Sequence, residues 1–264
     1  MVSQLSAETL ISLSVEERKS LILHHASLID VTHITDEDLH IPYKYGKIIS
    51  SIAQGYFEYQ LVQDLQNGTI LELDKQYQSI SSKTDQFTDN FIEWLKADFQ
   101  NQSLLLDSHP KPKNLFELCG AKLLMTSNSV TRSLSTKMGR LWEDIANLSP
   151  YIIIPEIEFG IKIKGIDLVI LSQDKILFAQ IKTLKGTLTG SQRSRAKKEL
   201  SIHENPLFIS AFDLGEWTFN DPQIPRLAGK EFWDIIYINY DLLEDRVKHM
   251  LQTIDRAFAK LAAQ

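Results

Sequence analysis

Three polar side chains, Asp167, Gln180 and Lys182, interrupt an otherwise apolar stretch of the chain between residues 165 and 186. Two apolar runs flank the polar residues 172–175, a pattern that predicts a β-hairpin. With the turn centred on those residues, Asp167 lies directly opposite Gln180, and Lys182 shares their face because alternate residues of a strand point to the same side. Polar groups in an apolar setting are costly unless they bind something. This cluster is therefore a candidate functional site.

Such a set of side chains suits the hydrolysis of phosphodiester bonds. The carboxylate of Asp167, the amide oxygen of Gln180 and the backbone carbonyl of Ile181 are oxygen ligands, which Mg²⁺ prefers. A bound metal ion polarises a phosphoryl group and helps to generate hydroxide from water. The ammonium group of Lys182 can orient or activate that water and stabilise the charge that develops. The sequence therefore predicts Asp167, Gln180 and Ile181 as metal ligands and Mg²⁺ as the cofactor.

The elements around the hairpin alternate between helices and strands. Apolar residues at helical spacing predict a helix over residues 132–148 and another over residues 242–261. Runs rich in isoleucine, leucine and phenylalanine predict strands, and a basic polar stretch between two of them predicts a helix. This mixture predicts an α/β or α+β core with a mixed central sheet. The predicted strands are 151–159, 163–171, 176–184, 206–212 and 232–239, and the helix between the third and the fourth covers 191–203.

The first hundred residues have the patterns of helices. Ser14 and Glu17 fit a capping box, in which the serine caps a helix and the glutamate reaches back to the cap amide. Apolar residues at helical spacing predict two further helices, over 45–66 and 87–99. Residues 107–114 contain two prolines and no apolar residue, so they are the best candidate for a linker.

In these motifs and in this order of elements, the chain resembles the PD-(D/E)xK nuclease superfamily, which includes most type II restriction endonucleases. Asp167 matches the motif aspartate, and the residues from Gln180 to Lys182 match the (D/E)xK element. The predicted order of helix, three strands, helix and strand is similar to the αβββαβ core of that superfamily. The resemblance covers roughly residues 130–240 and is one of motif and topology.

The resemblance points to one more acidic residue at the site. Many members carry an additional acid on the first core helix, and Glu143 stands at that place in this sequence. Glu143 is therefore a candidate catalytic residue or a group that supports the metal site. Glu156 and Glu158, in the first predicted strand, are alternatives to it.

The function implied by the resemblance is that of a type II restriction endonuclease, which hydrolyses phosphodiester bonds of double-stranded DNA at a specific sequence and needs Mg²⁺. Such enzymes commonly act as homodimers, because palindromic sites match two-fold symmetry. We therefore expect double-stranded DNA and a second copy of the chain as partners. The implied parts are a helical N-terminal region over 1–106 for DNA binding or dimerisation, a linker over 107–114 and a nuclease core over 115–264.

Gln180 departs from the family pattern, which has aspartate or glutamate at this position. A neutral amide leaves the site with one negative charge less and weakens Mg²⁺ binding. Some restriction-enzyme branches do carry glutamine there, so the sequence is compatible with activity. Two alternatives stay open: a related nuclease that acts in repair, junction resolution or transposition, and a non-catalytic DNA-binding protein that keeps the fold.

The net charge of −6 taken alone argues against a nucleic-acid partner, but the position of the charges matters more than their total. Residues 161–200 contain nine basic and three acidic residues, so this segment is locally basic in an otherwise acidic chain. Its side chains are of the kinds that contact phosphates, although an exposed helix that is merely basic has the same composition. The candidate DNA contacts are Lys185, Ser191, Arg193, Arg195, Lys197 and Lys198.

The overall composition excludes several other classes of protein. The chain has 264 residues, of which 43% are hydrophobic and 23% are charged, which is enough to form a real core. Its one cysteine, Cys119, excludes an internal disulfide and a cysteine-based zinc site and fits a reducing compartment. The N-terminus has neither a basic start nor an apolar run, and no stretch reaches the ~18 apolar residues of a membrane span. We therefore expect a cytoplasmic protein without a membrane partner.

Overall fold

A computed structural model describes residues 5–107, 111 and 115–263 of the chain. It shows a mixed α/β fold with a five-stranded mixed sheet and a helical N-terminal region. The strands are β1 (Ile152–Ile153), β2 (Leu168–Ser172), β3 (Lys175–Lys182), β4 (Pro206–Ser210) and β5 (Arg226–Ala228). The helices are α1 (Ala7–Ile11), α2 (Val15–Ser27), α3 (His40–Gln66), α4 (Leu73–Asp107), α5 (Leu115–Leu118), α6 (Lys122–Ala146), α7 (Pro155–Phe159), α8 (Ser191–Ser201), α9 (Lys230–Ile235) and α10 (Tyr240–Ala262).

Strands β2 and β3 form the predicted hairpin in the predicted register. Leu168 pairs with Ala179, and the pairing continues from there to the turn. The two turn residues, Gln173 and Asp174, have φ of 48° and 59°, and a two-residue type I′ turn requires positive φ at both positions. This turn matches the right-handed twist of the strands, so it fixes which side chains share a face.

The sheet changes from antiparallel to parallel pairing at β3. Strands β1, β2 and β3 are antiparallel neighbours, whereas β4 runs parallel to β3 and β5 runs parallel to β4. Parallel neighbours need a crossover connection, and α8 lies in the connection between β3 and β4. The chain therefore runs back along α8, and the start of α8 lies level with the end of β3.

Both faces of the sheet are buried. Val169, Phe178 and Phe208 point to one face, where they belong to an apolar cluster with residues of α1, α2, α3 and α8. Residues that point to the opposite face of β2 and β3, such as Leu168 and Ala179, are fully buried as well. A polar side chain on these strands therefore loses most of its hydration, which is costly unless it gains a partner.

The predicted strand 151–159 is wrong for most of its length. Ile152–Ile153 is a strand, but Pro155–Phe159 forms the short helix α7. Proline has no N–H, so it leaves no donor unsatisfied in the first turn of a helix, and its fixed φ suits that turn. Pro155 therefore favours a helix start. Gly160, with φ of 63°, ends the helix in the left-handed conformation. The isoleucines suggested a strand because β-branched residues favour one.

The predicted strand 232–239 is also wrong. This segment contains most of α9, and the fifth strand, Arg226–Ala228, lies before it. Phe232, Trp233 and Ile236 are buried at the spacing of a helix. Their aromatic and β-branched side chains suggested a strand instead.

The remaining predicted elements are present, with shifted ends. Ser14 accepts a hydrogen bond from the N–H of Glu17, and the carboxylate of Glu17 accepts from the N–H of Ser14, so the capping box at the start of α2 is confirmed. The predicted helices 45–66, 87–99, 132–148, 191–203 and 242–261 correspond to α3, α4, α6, α8 and α10, and the predicted strands 163–171, 176–184 and 206–212 correspond to β2, β3 and β4.

Contacts divide the described chain into two compact units. One unit comprises the described residues up to Gln76 together with Trp142–Tyr240, and it contains the whole sheet. The other comprises Tyr77–Leu141 and the described residues from Asp241 on. It is helical, and its ion pair between Arg246 and Asp85 measures 2.6 Å. The predicted linker 107–114 lies mostly outside the described residues, so the predicted division into three parts stays a prediction.

In residues 5–107, 111 and 115–263, no helix is both long enough and apolar enough to cross a membrane.

Candidate active site

Asp167 lies where the chain enters the hairpin, one residue before β2. The backbone ladder between β2 and β3 stops at Leu168, and the carboxylate Oδ2 of Asp167 accepts a hydrogen bond from the N–H of Ile181 at 2.9 Å. The N–H of Asp167 also donates to the carbonyl of Ala179 at 2.8 Å, so both the backbone and the side chain of Asp167 bind β3 beyond the ladder. The carboxylate is thereby held beside Gln180 and Lys182, the neighbours of Ile181 in the chain.

Lys182 ends β3 on the same side of the hairpin. Its Nζ lies 3.7 Å from Oδ2 of Asp167, and the two side chains are 27% and 26% exposed. A substrate can therefore reach both groups. Ion pairs that solvent reaches contribute about 0–1 kcal/mol, so Lys182 can exchange the carboxylate for another anion at little cost.

Gln180 is the buried member of the cluster. Its residue is 9% exposed, and its Oε1 has no hydrogen-bond partner among the described residues. A buried acceptor without a partner costs about 1–3 kcal/mol. The fold therefore holds an unsatisfied oxygen on the strand that carries Lys182, which is the property expected of an oxygen that binds a ligand.

The donor atoms of the site are oxygens, which suit a hard cation, but together they carry too little negative charge to bind one. Asp167, Gln180 and the carbonyl of Ile181 offer oxygen atoms, as Mg²⁺ prefers. Among the described residues, however, no group of three or more His, Cys, Asp and Glu side chains lies close enough to hold a metal ion. Lys182 also balances the one charge of Asp167. Since Mg²⁺ usually keeps several waters and binds one or two carboxylates, the site needs at least one further source of negative charge.

Glu143 lies near the C-terminal end of α6 and is half-buried. The preceding residue, Trp142, donates its indole N–H to Oγ1 of Thr183 at 3.0 Å. Thr183 directly follows Lys182, the last residue of β3. This end of α6 is therefore tied to the end of β3 that carries the candidate site, and the role of Glu143 there stays a prediction.

The two alternative acids lie on a helix and not on the predicted strand. Glu156 and Glu158 belong to the first turn of α7. The carboxylate of Glu158 accepts a hydrogen bond from the hydroxyl of Tyr56 at 2.5 Å and lies 3.6 Å from Nη1 of Arg18. Glu158 thus joins helices α2, α3 and α7, which is a structural role.

Glu199 is an acidic residue that the sequence interpretation did not select. It lies on α8, and its residue is 3% exposed. Its Oε1 accepts a hydrogen bond from Nε of Arg195 at 2.7 Å and lies 4.0 Å from Nζ of Lys164. Ala196, Glu199 and Leu200 form the buried stripe of α8. In the sequence, Glu199 stands at the helical spacing of the apolar residues Ala196 and Leu200, and this position could have indicated that it is buried.

Acidic side chains offset much of the basic charge predicted to contact DNA. Ser191 begins α8 and is exposed, and Arg193 donates to the carbonyl of Thr218 at 3.3 Å. The ion pairs join Lys185 to Asp213, Arg195 to Glu199, Lys197 to Asp221 and Lys198 to Asp36. Where both partners are exposed, such pairs are weak, so a phosphate can take the place of the carboxylate. The role of these residues in DNA binding stays a prediction.

His203, just after α8, packs against Phe178 of β3. Its ring stacks on Phe178 of β3 with a centroid separation of 5.0 Å and an interplanar angle of 15°. Gly46 of α3 leaves the room for this ring, because a Cβ added there would collide with Nδ1. The Nε2 atom is buried without a hydrogen-bond partner among the described residues. Burial lowers the pKa of His203 to about 4, so the fold requires the neutral ring.

We expect the stability of the fold to depend on pH through His203. Its pKa falls from about 6.5 in the unfolded chain to about 4 in the folded one, so its contribution is complete above pH 6.5 and is lost as the pH falls towards 4. The loss amounts to about 3 kcal/mol. Urea unfolding at several pH values measures it, and His203→Gln should show a smaller decrease in unfolding free energy between pH 7 and pH 4.

The exposed His24 on α2 provides the control for this experiment. His24→Gln should keep the pH dependence of the wild type. Equal slopes for the wild type and His203→Gln between pH 7 and pH 4 would contradict the assignment of this dependence to His203.

The chain matches no protein-family model, no curated protein and no solved structure.

Proposed function

We propose that the protein is a Mg²⁺-dependent endonuclease that hydrolyses phosphodiester bonds of double-stranded DNA, in the manner of a type II restriction endonuclease. One observation carries the proposal. The carboxylate of Asp167 is bonded to the N–H of Ile181, between Gln180 and Lys182, on an edge of the hairpin that solvent reaches. The buried Oε1 of Gln180 on the same strand has no described partner.

The arrangement of elements supports the same proposal. The chain passes from α6 through β1, β2 and β3 to α8 and β4, with antiparallel pairing up to β3 and parallel pairing beyond it. The αβββαβ core of the PD-(D/E)xK superfamily has the same order except for α7, the short helix that stands between β1 and β2 in this chain. A restriction-endonuclease-like core is therefore part of this proposal.

Each residue of the site has a separate role in the proposed reaction. Asp167, Gln180 and the carbonyl of Ile181 would hold Mg²⁺, which polarises the phosphoryl group when it is bound. The bond from Ile181 N–H keeps the carboxylate of Asp167 at a fixed position, so little reorganisation is needed. Lys182 orients the attacking water and places its positive charge where negative charge develops on the phosphate.

The DNA would lie along the basic segment that follows β3. Lys185, Arg193 and the exposed lysines of α8 would bind phosphates, and these contacts position the duplex without reading its sequence. Because contacts between basic side chains and phosphates release counterions from the DNA, we expect binding that weakens steeply as salt rises. We also propose that two copies of the chain act together on a palindromic site.

A non-catalytic DNA-binding protein is the second candidate. Two observations favour it: Gln180 is neutral, and no group of three acidic, histidine or cysteine side chains in the described chain is close enough to hold a metal ion. This candidate predicts binding of DNA that Mg²⁺ does not change and that leads to no cleavage.

Cleavage of plasmids distinguishes these functions. Wild-type protein is incubated with several methylated and unmethylated plasmids, and with a four-way junction, in Mg²⁺ or in EDTA. Discrete linear fragments that require Mg²⁺ would support the restriction endonuclease. Preferential cutting of the junction would indicate a repair or recombination nuclease, and binding without any cutting would favour the non-catalytic protein.

A further inference from the structure

An aromatic ring with two cations against it lies beside the chain that leaves the candidate site. The ring belongs to Trp217, in the segment between β4 and β5, and it is half-buried. Nζ of Lys185 lies 5.7 Å from the ring centroid, and Cζ of Arg226 lies 5.0 Å from it. A tryptophan ring attracts cations within about 6 Å of its centroid. Trp217 therefore holds two positive charges near each other.

Hydrogen bonds bring a third cation to the same place. Nη1 of Arg193 donates to the carbonyl of Thr218, the residue after Trp217, at 3.3 Å. The N–H and the hydroxyl of Thr218 both donate to the carbonyl of Lys185, each at 3.3 Å. Three cations thus surround residues 217–218. They form, together with the indole ring, what we call the Trp217 cluster: Lys185, Arg193, Trp217 and Arg226.

The Trp217 cluster carries more positive charge than carboxylates compensate. Lys185 pairs with Asp213, whose side chain is 60% exposed. Within residues 5–107, 111 and 115–263, the guanidinium groups of Arg193 and Arg226 donate to backbone carbonyls and pair with no carboxylate. The three cations and the one acid leave an excess of positive charge at a surface that solvent reaches.

The basic residues in the middle of α8 are held in a different way. Arg195 pairs with Glu199 at 2.7 Å and Lys197 pairs with Asp221 at 2.6 Å, and the side chains of the two acids are only 5% exposed. A cation that moved from such a pair to a phosphate would leave a buried carboxylate unpaired, which is strongly unfavourable. These two cations are therefore less available to DNA than the Trp217 cluster, although both are exposed.

The Trp217 cluster lies close to Lys182 of the candidate site. Lys185 follows Lys182 by three residues, so their Cα atoms are at most about 11 Å apart. Beyond β3 and β4 the two chains continue side by side. The N–H of Ala211 donates to the carbonyl of Lys182 at 2.7 Å, and the N–H of Lys185 donates to the carbonyl of Leu214 at 3.3 Å. This pairing holds the segment that leads to Trp217 beside the end of β3.

We propose that the Trp217 cluster binds the phosphate backbone of double-stranded DNA next to the bond that is cut, with Arg193 and Arg226 as the main contacts. Arginine suits this role, because its planar guanidinium keeps its charge and donates to phosphate oxygens in pairs. Phosphates of one strand follow each other at about 3.4 Å along the helix axis. Those held by the cluster would therefore lie within a few nucleotides of the phosphate that is attacked.

The inference rests on the proposed nuclease function and narrows the surface that binds DNA. It adds Arg226 and Trp217 to the contacts predicted from the sequence, and it assigns Arg195 and Lys197 to the packing of α8. In this arrangement Trp217 is a positioning residue, which holds the cations at the surface without itself binding a phosphate.

DNA binding without cleavage tests this assignment. Fluorescence anisotropy measures the affinity for a labelled duplex of mixed sequence over a range of NaCl concentrations, in EDTA so that no Mg²⁺-dependent cleavage occurs. The wild type is compared with the double variant Arg193→Gln with Arg226→Gln. The control is Lys162→Gln with Lys175→Gln, which removes two exposed lysines from the same compact unit and changes the net charge equally.

We expect the arginine double variant to bind the duplex roughly 10-fold or more weakly than the wild type at moderate salt. The slope of log affinity against log salt should become shallower by about 2, since each phosphate contact contributes about 0.9 to it. The lysine control should keep the wild-type slope. Equal slopes for the wild type and the arginine variant, or equal losses in the arginine variant and the control, would overturn the proposal.

A single variant keeps the test decisive if the double variant does not fold. Arg226 also donates to the carbonyl of Phe219 at 2.8 Å, so its replacement removes a bond within the fold. Arg193→Gln alone changes an exposed side chain of α8 and should make the slope shallower by about 1. An unchanged slope in this folded variant would overturn the proposal.

The positioning role of Trp217 has its own test. Trp217→Leu removes the ring but no charge, whereas Trp217→Phe keeps an aromatic face for the cations. We expect weaker DNA binding in the leucine variant and recovery in the phenylalanine variant. Wild-type affinity in the leucine variant, or equal losses in both, would contradict this role. Wild-type protein that binds no duplex at low salt would instead refute the proposed function itself.

Discussion

Lys182→Met lowers the rate of Mg²⁺-dependent DNA cleavage by about 100-fold or more in our account. Methionine keeps the length of the side chain and removes its charge, so Asp167 loses the ammonium group that lies 3.7 Å from its Oδ2. The phosphate loses the charge that stabilises it as the bond to water forms. Single-turnover cleavage at saturating protein separates this loss in rate from weaker DNA binding.

The control for this variant lies at the other end of the same strand. Lys175 begins β3 beside the turn and is exposed. Lys175→Met removes an equal charge from β3 and should cleave at the wild-type rate. Equal rates for wild type and Lys182→Met would contradict the catalytic role of Lys182, and equal losses in both variants would indicate a general effect of charge on DNA binding.

Gly165→Ala should destabilise the fold by about 3 kcal/mol or more. The residue has φ of +82°, where an L-residue with a side chain is strained, and the added methyl group would collide with Glu199. Glu199 is buried on α8 against the sheet, so it has little room to retreat. The free energy of unfolding in urea measures the effect.

Gly215 separates the two causes of this loss. It has φ of +77°, close to that of Gly165, but a Cβ added to it would meet nothing within 4 Å. Gly215→Ala should therefore show the cost of the backbone conformation without that of the collision. Equal losses of stability in the two variants would contradict the close approach of Glu199 to Gly165.

The register of the hairpin could be predicted from local sequence alone. The hairpin consists of two apolar runs joined by a four-residue polar segment, and the side chains of each run point alternately to the two faces of the sheet. Few pairings are then possible, because a shift by one residue would turn the buried side chains to the other face. The structure confirms the pairing of Leu168 with Ala179. Asp167 lies just beyond this ladder, where its N–H donates to the carbonyl of Ala179 and its Oδ2 accepts from the N–H of Ile181.

The extent of the first strand could not be predicted in the same way. Four isoleucines between residues 152 and 157 favour a strand by type, but Pro155 and Gly160 favour the start and the end of a helix. Which preference prevails depends on tertiary packing. Here Tyr56 and Arg18, more than a hundred residues earlier in the chain, bind Glu158 of that helix.

The ion-pair partners of the basic residues around the site could not be predicted from the local sequence either. The basic stretch after β3 can be read from the sequence, but its partners Asp36, Asp213 and Asp221 come from distant segments. For the same reason Glu199 looked like one acid in a basic helix. Its burial against the sheet becomes apparent only when α8 is folded between β3 and β4.

The most direct test of the central claim is the rate of plasmid cleavage in Mg²⁺ by the wild type and by Asp167→Asn. Asparagine keeps the shape of Asp167 and can still accept the hydrogen bond from Ile181, but it removes the charge that would hold Mg²⁺. We predict linear DNA fragments from the wild type, none in EDTA, and a rate for Asp167→Asn lower by about 100-fold or more. Cleavage by Asp167→Asn at the wild-type rate, or cleavage that persists in EDTA, would contradict the account.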